Sequence, residues 1–306
     1  YMSAKKSQSS GVTGRDSFTS SFGVLVALAG SAVGLGNLWR FPYLVGENGG
    51  AAFIFIYIAF VFILCLPIMY SEFIIGRRSQ RNAFGAFKVL APGSKWGIVG
   101  IVAVLSALCI LSFYSVVGGW SIEYLVKAIT FDFTRESGAN LDTMFGDFVS
   151  SPIKPLVWHV VFLLLTALVV IAGIQKGIER YTKMMMPLLF LMIIVIAVRS
   201  VTLEGAKEGI NYLFKPDFSK VTFNTLLAAL GQAFFSLSIG CGTIMTYASY
   251  VSKSENIVKM SALTAVADTT FAIIAGCAIM PAVFAFGISP GEGPGLVFIT
   301  LPKIFA

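Results

Sequence analysis

Charged side chains are scarce in this 306-residue chain: Asp, Glu, Lys and Arg make up 12% of it, against 57% hydrophobic residues. Soluble domains carry about twice that share of charge, so a water-soluble globular protein is excluded. Histidine occurs once, as His159. No Ser/His/Asp or metal-ligand grouping points to an intramembrane enzyme, and His159, beside Trp158 where an apolar run begins, reads as an interfacial residue. The four cysteines, Cys65, Cys109, Cys241 and Cys277, all lie inside apolar runs. That excludes an extracellular disulfide framework or a zinc cluster and leaves them as packing residues. Residues 3–21 are polar and rich in Ser and Lys, so no cleavable signal peptide is expected. A net charge of +7 would suit nucleic acid if the basic residues shared one face, but they are spread between the apolar runs.

Apolar sequence is what the chain has in quantity. Mean hydropathy is +0.85. Seven stretches, at about 18–43, 51–76, 97–128, 156–173, 182–200, 223–251 and 261–287, approach or exceed the roughly 20 residues that cross about 30 Å of hydrocarbon. They are too evenly apolar for barrel strands, which predicts an all-α membrane protein with the lipid bilayer as its partner. A cytoplasmic N-terminus places Lys5, Lys6, Arg15, Arg77, Arg78, Arg81, Lys88, Lys95, Lys176, Arg180, Lys183, Lys253 and Lys259 inside, and the acidic loop 129–155 outside. This agrees with the positive-inside rule and predicts a multi-pass protein of the plasma (inner) membrane. Seven spans alone also fit a heptahelical receptor or a channel. Such receptors have the opposite orientation, and a channel needs a continuously open filter, which the aromatic residues beside the glycine breaks disfavour.

Two spans carry glycines where a helix should be continuous: Gly30-Ser31-Ala32-Val33-Gly34-Leu35-Gly36-Asn37 in the first and Ser236-Leu237-Ser238-Ile239-Gly240-Cys241-Gly242 in the sixth. Each such glycine costs a helix interior about 1 kcal/mol relative to Ala. Gly30 and Gly34, four apart, equally fit close helix packing. Matched breaks in corresponding spans instead point to the binding site of a secondary transporter built from an inverted repeat. Half-helix N-termini there suit an anion, and released carbonyls suit a cation.

Gly34-Leu35-Gly36-Asn37-Leu38-Trp39-Arg40-Phe41-Pro42-Tyr43 with Glu47-Asn48-Gly49-Gly50 resembles the signature of the neurotransmitter:sodium symporter family, bacterial amino-acid branch. Gly173-Ile174-Gln175-Lys176-Gly177-Ile178-Glu179-Arg180, Gly231-Gln232-Ala233-Phe234-Phe235-Ser236-Leu237-Ser238 and Tyr247-Ala248-Ser249-Tyr250 extend the resemblance over essentially the whole chain. It implies the inverted-repeat transporter fold of the bacterial leucine transporter type, with unwound helices 1 and 6 and only helices 1–7 present. Residues 1–17 would be a cytoplasmic segment, 18–200 the first five-helix repeat, 201–222 an extracellular loop, and 223–306 the start of the second repeat, cut within the fourth extracellular loop. A seven-helix piece is not expected to transport alone.

The same resemblance implies sodium-coupled symport of neutral, hydrophobic or aromatic amino acids by alternating access, with two Na⁺ sites and no organic cofactor. Substrate would meet Ser31, Ala32, Gly34, Gly36, Ile110, Tyr114, Phe235, Ser236, Ser238 and Cys241. Gly34 is where monoamine-transporting relatives carry an Asp, so the substrate is expected to bring its own carboxylate. Cys241 replaces a bulky aromatic and makes the pocket roomier. The first sodium site would use Ala32, Asn37, Ser236 and Asp268. Asp268 stands mid-span, where an unpaired carboxylate costs several kcal/mol. It replaces an Asn of chloride-dependent relatives and predicts chloride independence; a protonated or capping acid is the other reading. Gly30 and Val33 would give part of a second sodium site, completed from an eighth helix. Arg15, Phe18, Arg40, Tyr250 and Phe235 resemble gate residues, although Arg15 equally reads as an ordinary positive-inside residue. Glu72, near the end of the second span, is expected to bond the unwound backbone of helices 1 and 6, or reads as an interfacial acid. Gly177 and Pro187 match the helix 5 hinge, or mark no more than a helix start and a kink.

Overall fold

The computed structural model describes residues 18, 21–135 and 138–305, and among these the chain is helical, with no strand. Among the described residues five helices are long and apolar enough to cross a membrane: Ala51–Ser79, Gly97–Ile129, Lys154–Ile171, Gly177–Val201 and Ile257–Ala285. They are the second to fifth and the seventh of the expected spans. The other two expected spans are not continuous. The first is a pair, Phe22–Ala32 and Gly36–Glu47, bent by 44°. The sixth is split into Phe223–Ser236 and Thr243–Ala248 by a longer irregular stretch, so by continuous helix the described residues hold five spans, or six with the bent pair.

Local chemistry explains several boundaries. The sixth span starts at Phe223 because Thr222 accepts a hydrogen bond from Thr225 N–H while the Thr225 hydroxyl accepts from Thr222 N–H. The seventh starts at Ile257, four residues before the expected 261, because Asn256 accepts from Lys259 N–H. Within the second span, Val61–Cys65 widens into a π-helical turn just ahead of Pro67. Proline clashes with the carbonyl four residues back, and a wide turn relieves that clash without ending the helix.

The seventh span is the core of the bundle: 61% of its most apolar window is buried, against none for the fourth. Phe41, Phe53, Tyr57, Met69, Phe73, Leu237, Ile244 and Ile279 pack the first, second, sixth and seventh spans together. A second cluster, Val26, Ala29, Val33, Met186, Ile193 and Phe271, joins the first, fifth and seventh. The third and fourth spans meet through small residues. A Cβ on Gly119 would lie 2.7 Å from the backbone of Trp158 and His159. Without a hydrophobic drive between helices in lipid, such close approach supplies the contact energy. Gly119→Ala is therefore expected to destabilise the protein by about 1–3 kcal/mol, read as a lower midpoint of thermal unfolding in detergent; an unchanged midpoint would show the two helices free to separate.

Candidate functional site

The two broken spans face each other across a cavity of about 550 Å³. Its walls include Ser31, Ala32 and Gly36 from the first break, Ile110 and Tyr114 from the third span, and Phe235, Ser236, Ser238 and Cys241 from the sixth. Gly34 is not on the wall but stands behind it, where a Cβ would come 3.1 Å from the Tyr114 hydroxyl. Ser106, Ala107, Leu111, Phe234, Ile239, Gly240 and Thr243 also line the cavity. Phe234, Ile239 and Gly240 belong to stretches already singled out, whereas Ser106, Ala107, Leu111 and Thr243 had no local pattern to mark them in an apolar run.

At the first break the helix stops at Ala32 and resumes at Gly36. Among the described residues no backbone N–H reaches the carbonyls of Gly30, Ala32 or Val33 across the gap. Gly36 N–H donates instead to the Tyr114 hydroxyl at 3.3 Å, which leaves the phenol proton free to donate elsewhere. Gln232, fully buried, donates to Gly36 O at 3.3 Å. Its other end accepts from Arg40, whose guanidinium lies 4.9 Å from the Phe235 ring centre. The Phe235 and Tyr114 rings are neighbours, 6.1 Å apart.

The second break holds three residues at positive φ: Ser238 at 55°, Gly240 at 84° and Gly242 at 74°. Glycine adopts this region freely, whereas a serine there is strained and must be held. Ser238 is held by its hydroxyl, which donates to Ser31 O of the first break at 2.9 Å. Glu72 of the second span accepts from Gly240 N–H at 2.7 Å, so the carboxylate reaches the sixth-span break.

Beneath the breaks, Asn37, Ser236 and Asp268 converge, all buried. Asn37 donates to Asp268 Oδ1 at 2.8 Å and to its backbone carbonyl at 3.0 Å. The Tyr57 hydroxyl, which the sequence reading missed, donates to Asp268 Oδ2 at 3.2 Å. Ser236 Oγ lies 2.9 Å and 2.8 Å from the two carboxylate oxygens and 3.3 Å from Asn37 Oδ1. A hydroxyl has one proton to give. Three acceptor oxygens around it are one donation and two surplus lone-pair sites, a concentration of hard oxygen that a small cation neutralises.

The remaining expected positions lie apart from this cluster. Phe18 N–H donates to Tyr250 O at 3.4 Å, and its ring stacks on Tyr247 at 6.5 Å. Arg15 lies outside the described residues. Gly30 packs against Thr182 and Met186 of the fifth span. Gly177 sits in a π-helical turn, Ile174–Glu179, and Pro187 in the helix that follows. Among the described residues no group of three or more His, Cys, Asp or Glu side chains could hold a metal.

Residues 15–143 and 151–306 match the sodium:neurotransmitter symporter family (SNF). An uncharacterized sodium-dependent transporter of Bacillus subtilis, YhdH, is 44% identical over 94% of this chain and 64% of its own length. One of Haemophilus influenzae is 39% identical over 95% of this chain and 66% of its own. The chain thus spans somewhat under two thirds of the length of these relatives. The crystal structure of MhsT in complex with L-phenylalanine superposes with a TM-score of 0.92 at 47% identity, over 95% of this chain and 66% of MhsT. The all-helical, multi-pass architecture with broken first and sixth helices is the inverted-repeat transporter fold, represented here by helices 1–7. With the family match running through both breaks and the Asp268 cluster, the chain belongs to the sodium:neurotransmitter symporter family.

Proposed function

We propose that this chain forms the substrate and sodium sites of a sodium-coupled symporter of neutral, hydrophobic or aromatic amino acids that works by alternating access and without chloride. The observation that carries the reading is the surplus of acceptor oxygens around Ser236, directly below a cavity that opens between two broken helices. The relatives carry transporter names, which fits a protein that is not an enzyme.

In this reading the substrate carboxylate takes the free proton of Tyr114 and the N–H groups at the first break, and it completes the shell of the first Na⁺ with Ala32 O, Asn37 Oδ1, Ser236 Oγ and Asp268. Gly34 leaves room for Tyr114 and supplies no carboxylate, so a bare amine has no counter-ion, whereas an amino acid brings one. Ion and substrate share a ligand, and by linkage each raises the affinity of the other. Asp268 holds the negative charge that a chloride ion would otherwise provide. The open carbonyls of Gly30 and Val33 contribute to a second Na⁺ site, beside the fifth span that Gly177 and Pro187 weaken. Phe235, Tyr114 and Arg40 form the outer closure, with Arg15, Phe18 and Tyr250 forming the inner one, and Glu72 holds the sixth-span break. MhsT binds L-phenylalanine, and the apolar walls at Ile110, Leu111 and Phe234 favour the same kind of side chain.

Radiolabelled tryptophan, tyrosine and leucine offered to the purified full-length protein are expected to bind saturably in Na⁺ and not in K⁺, with no change when gluconate replaces chloride. Absence of sodium-dependent binding of every amino acid would overturn the reading. Hydrogen bonds to charged groups contribute about 1.5–3 kcal/mol, so Tyr114→Phe is expected to weaken amino-acid affinity by about tenfold or more. Asp268→Asn is expected to raise the sodium concentration for half-maximal binding by at least about tenfold, in titrations at fixed amino acid. A variant with wild-type sodium dependence would remove Asp268 from the ion site.

A further inference from the structure

The third span lends the cavity a face made by Ser106, Ile110 and Tyr114, spaced by four. From Tyr114, where the amino-acid backbone would be held, to Ser106 is eight positions, or about 12 Å of helix at 1.5 Å per residue. The far end is the polar one. Ser106 lines the cavity together with Cys241 and Thr243 of the sixth-span break, and one turn before it Ala103 lies 3.4 Å from where a Cβ on Gly242 would be, which brings this end of the third span to that break.

Serine hydroxyls inside helices ordinarily return their proton to a carbonyl of the preceding turn. Three serines of this helix do so: Ser112 to Cys109 O at 2.7 Å, Ser115 to Leu111 O at 2.6 Å and Ser121 to Val117 O at 3.2 Å. Ser106 lines the cavity and, among the described residues, makes no such bond. At the sixth-span break, the Cys241 thiol lies 3.2 Å from Ser238 O and 3.2 Å from the Thr243 hydroxyl. A thiol that donates to the carbonyl leaves Thr243 with a weak sulfur partner and unused hydrogen-bonding capacity. The wall that carries them is fixed: Glu72 holds Gly240, Ser238 is tied to Ser31, and a Cβ on Gly242 would collide with Ala83.

We infer that Ser106 and Thr243 are specificity-determining residues that read a hydrogen-bonding tip on the substrate side chain, favouring a phenol such as that of tyrosine over a pure hydrocarbon such as phenylalanine. The inference rests on the amino-acid reading of the cavity. A site that offers one uncommitted hydroxyl, at Ser106, and one bonded only to a thiol, at Thr243, leaves that capacity unused when a hydrocarbon fills the space, and the difference sets the preference.

The test is competition of L-tyrosine and L-phenylalanine for the sodium-dependent site of the full-length protein, in the wild type, Ser106→Ala, Thr243→Val and the control Ser112→Ala. The tyrosine-to-phenylalanine affinity ratio is expected to fall about three- to tenfold in the first two variants, the range of one net hydrogen bond, and to hold in the control. Because the two positions lie on different helices, a folding defect in one leaves the other to decide. Sodium-dependent binding of both amino acids with a ratio that neither variant moves would overturn this inference and leave the transporter reading intact. If the wild type binds neither amino acid in Na⁺, both fall.

Discussion

One carboxylate ties four spans together. Asp268 of the seventh span receives Asn37 from the first, Tyr57 from the second and Ser236 from the sixth. An ionised carboxylate in the middle of a bilayer is stable only with such partners. Each partner is itself fully or almost fully buried and has few alternatives there. The group that is most costly to place is thus the one that fixes how the two broken helices face each other. The same arrangement that makes the fold specific leaves the lone-pair excess that an ion can fill.

The breaks impose a second constraint, because backbone freed from a helix has no water to turn to at this depth. Side chains take over, from the intact third and second spans and from the sixth span ahead of its break: Tyr114 for Gly36 N–H, Glu72 for Gly240 N–H and Gln232 for Gly36 O. Ser238 does the same from within the second break and accepts a strained backbone to do so. The cavity exists because these bonds hold the helix ends apart. Its apolar walls then come from the ordinary residues of the third and sixth spans.

Much of this was legible in the sequence. Glycines at mid-span, a lone Asp in an apolar run and an Asn beside the first break are each anomalies against the cost of polar or flexible residues in lipid, and the structure brings Asn37, Ser236 and Asp268 together. Tyr57 and Gln232 were not legible, since a tyrosine or glutamine within a helical run has several neutral explanations and only the packing of distant spans gives it a partner. Ser106 hid for the same reason, as its significance lies in a bond it does not make. The interruption of the sixth span was legible from its glycines, whereas its extent, from Leu237 to Gly242, was not, because hydropathy counts residues and is blind to positive φ.

The wide turn at Val61–Cys65 acts on the phase of the second span as well as on its proline. A π-helical turn absorbs one residue more than an α-turn, so everything below it is rotated by about 100° relative to everything above. Tyr57 lies above that turn and meets Asp268, while Glu72 lies below it and meets Gly240. The span thus works as a shaft keyed at two places, and the turn sets the angle between the keys. Losing a single apolar residue from that stretch would leave composition and hydropathy nearly unchanged yet turn Glu72 toward the wrong neighbour. Here the number of residues between two polar groups is under tighter constraint than the identity of the residues that fill it.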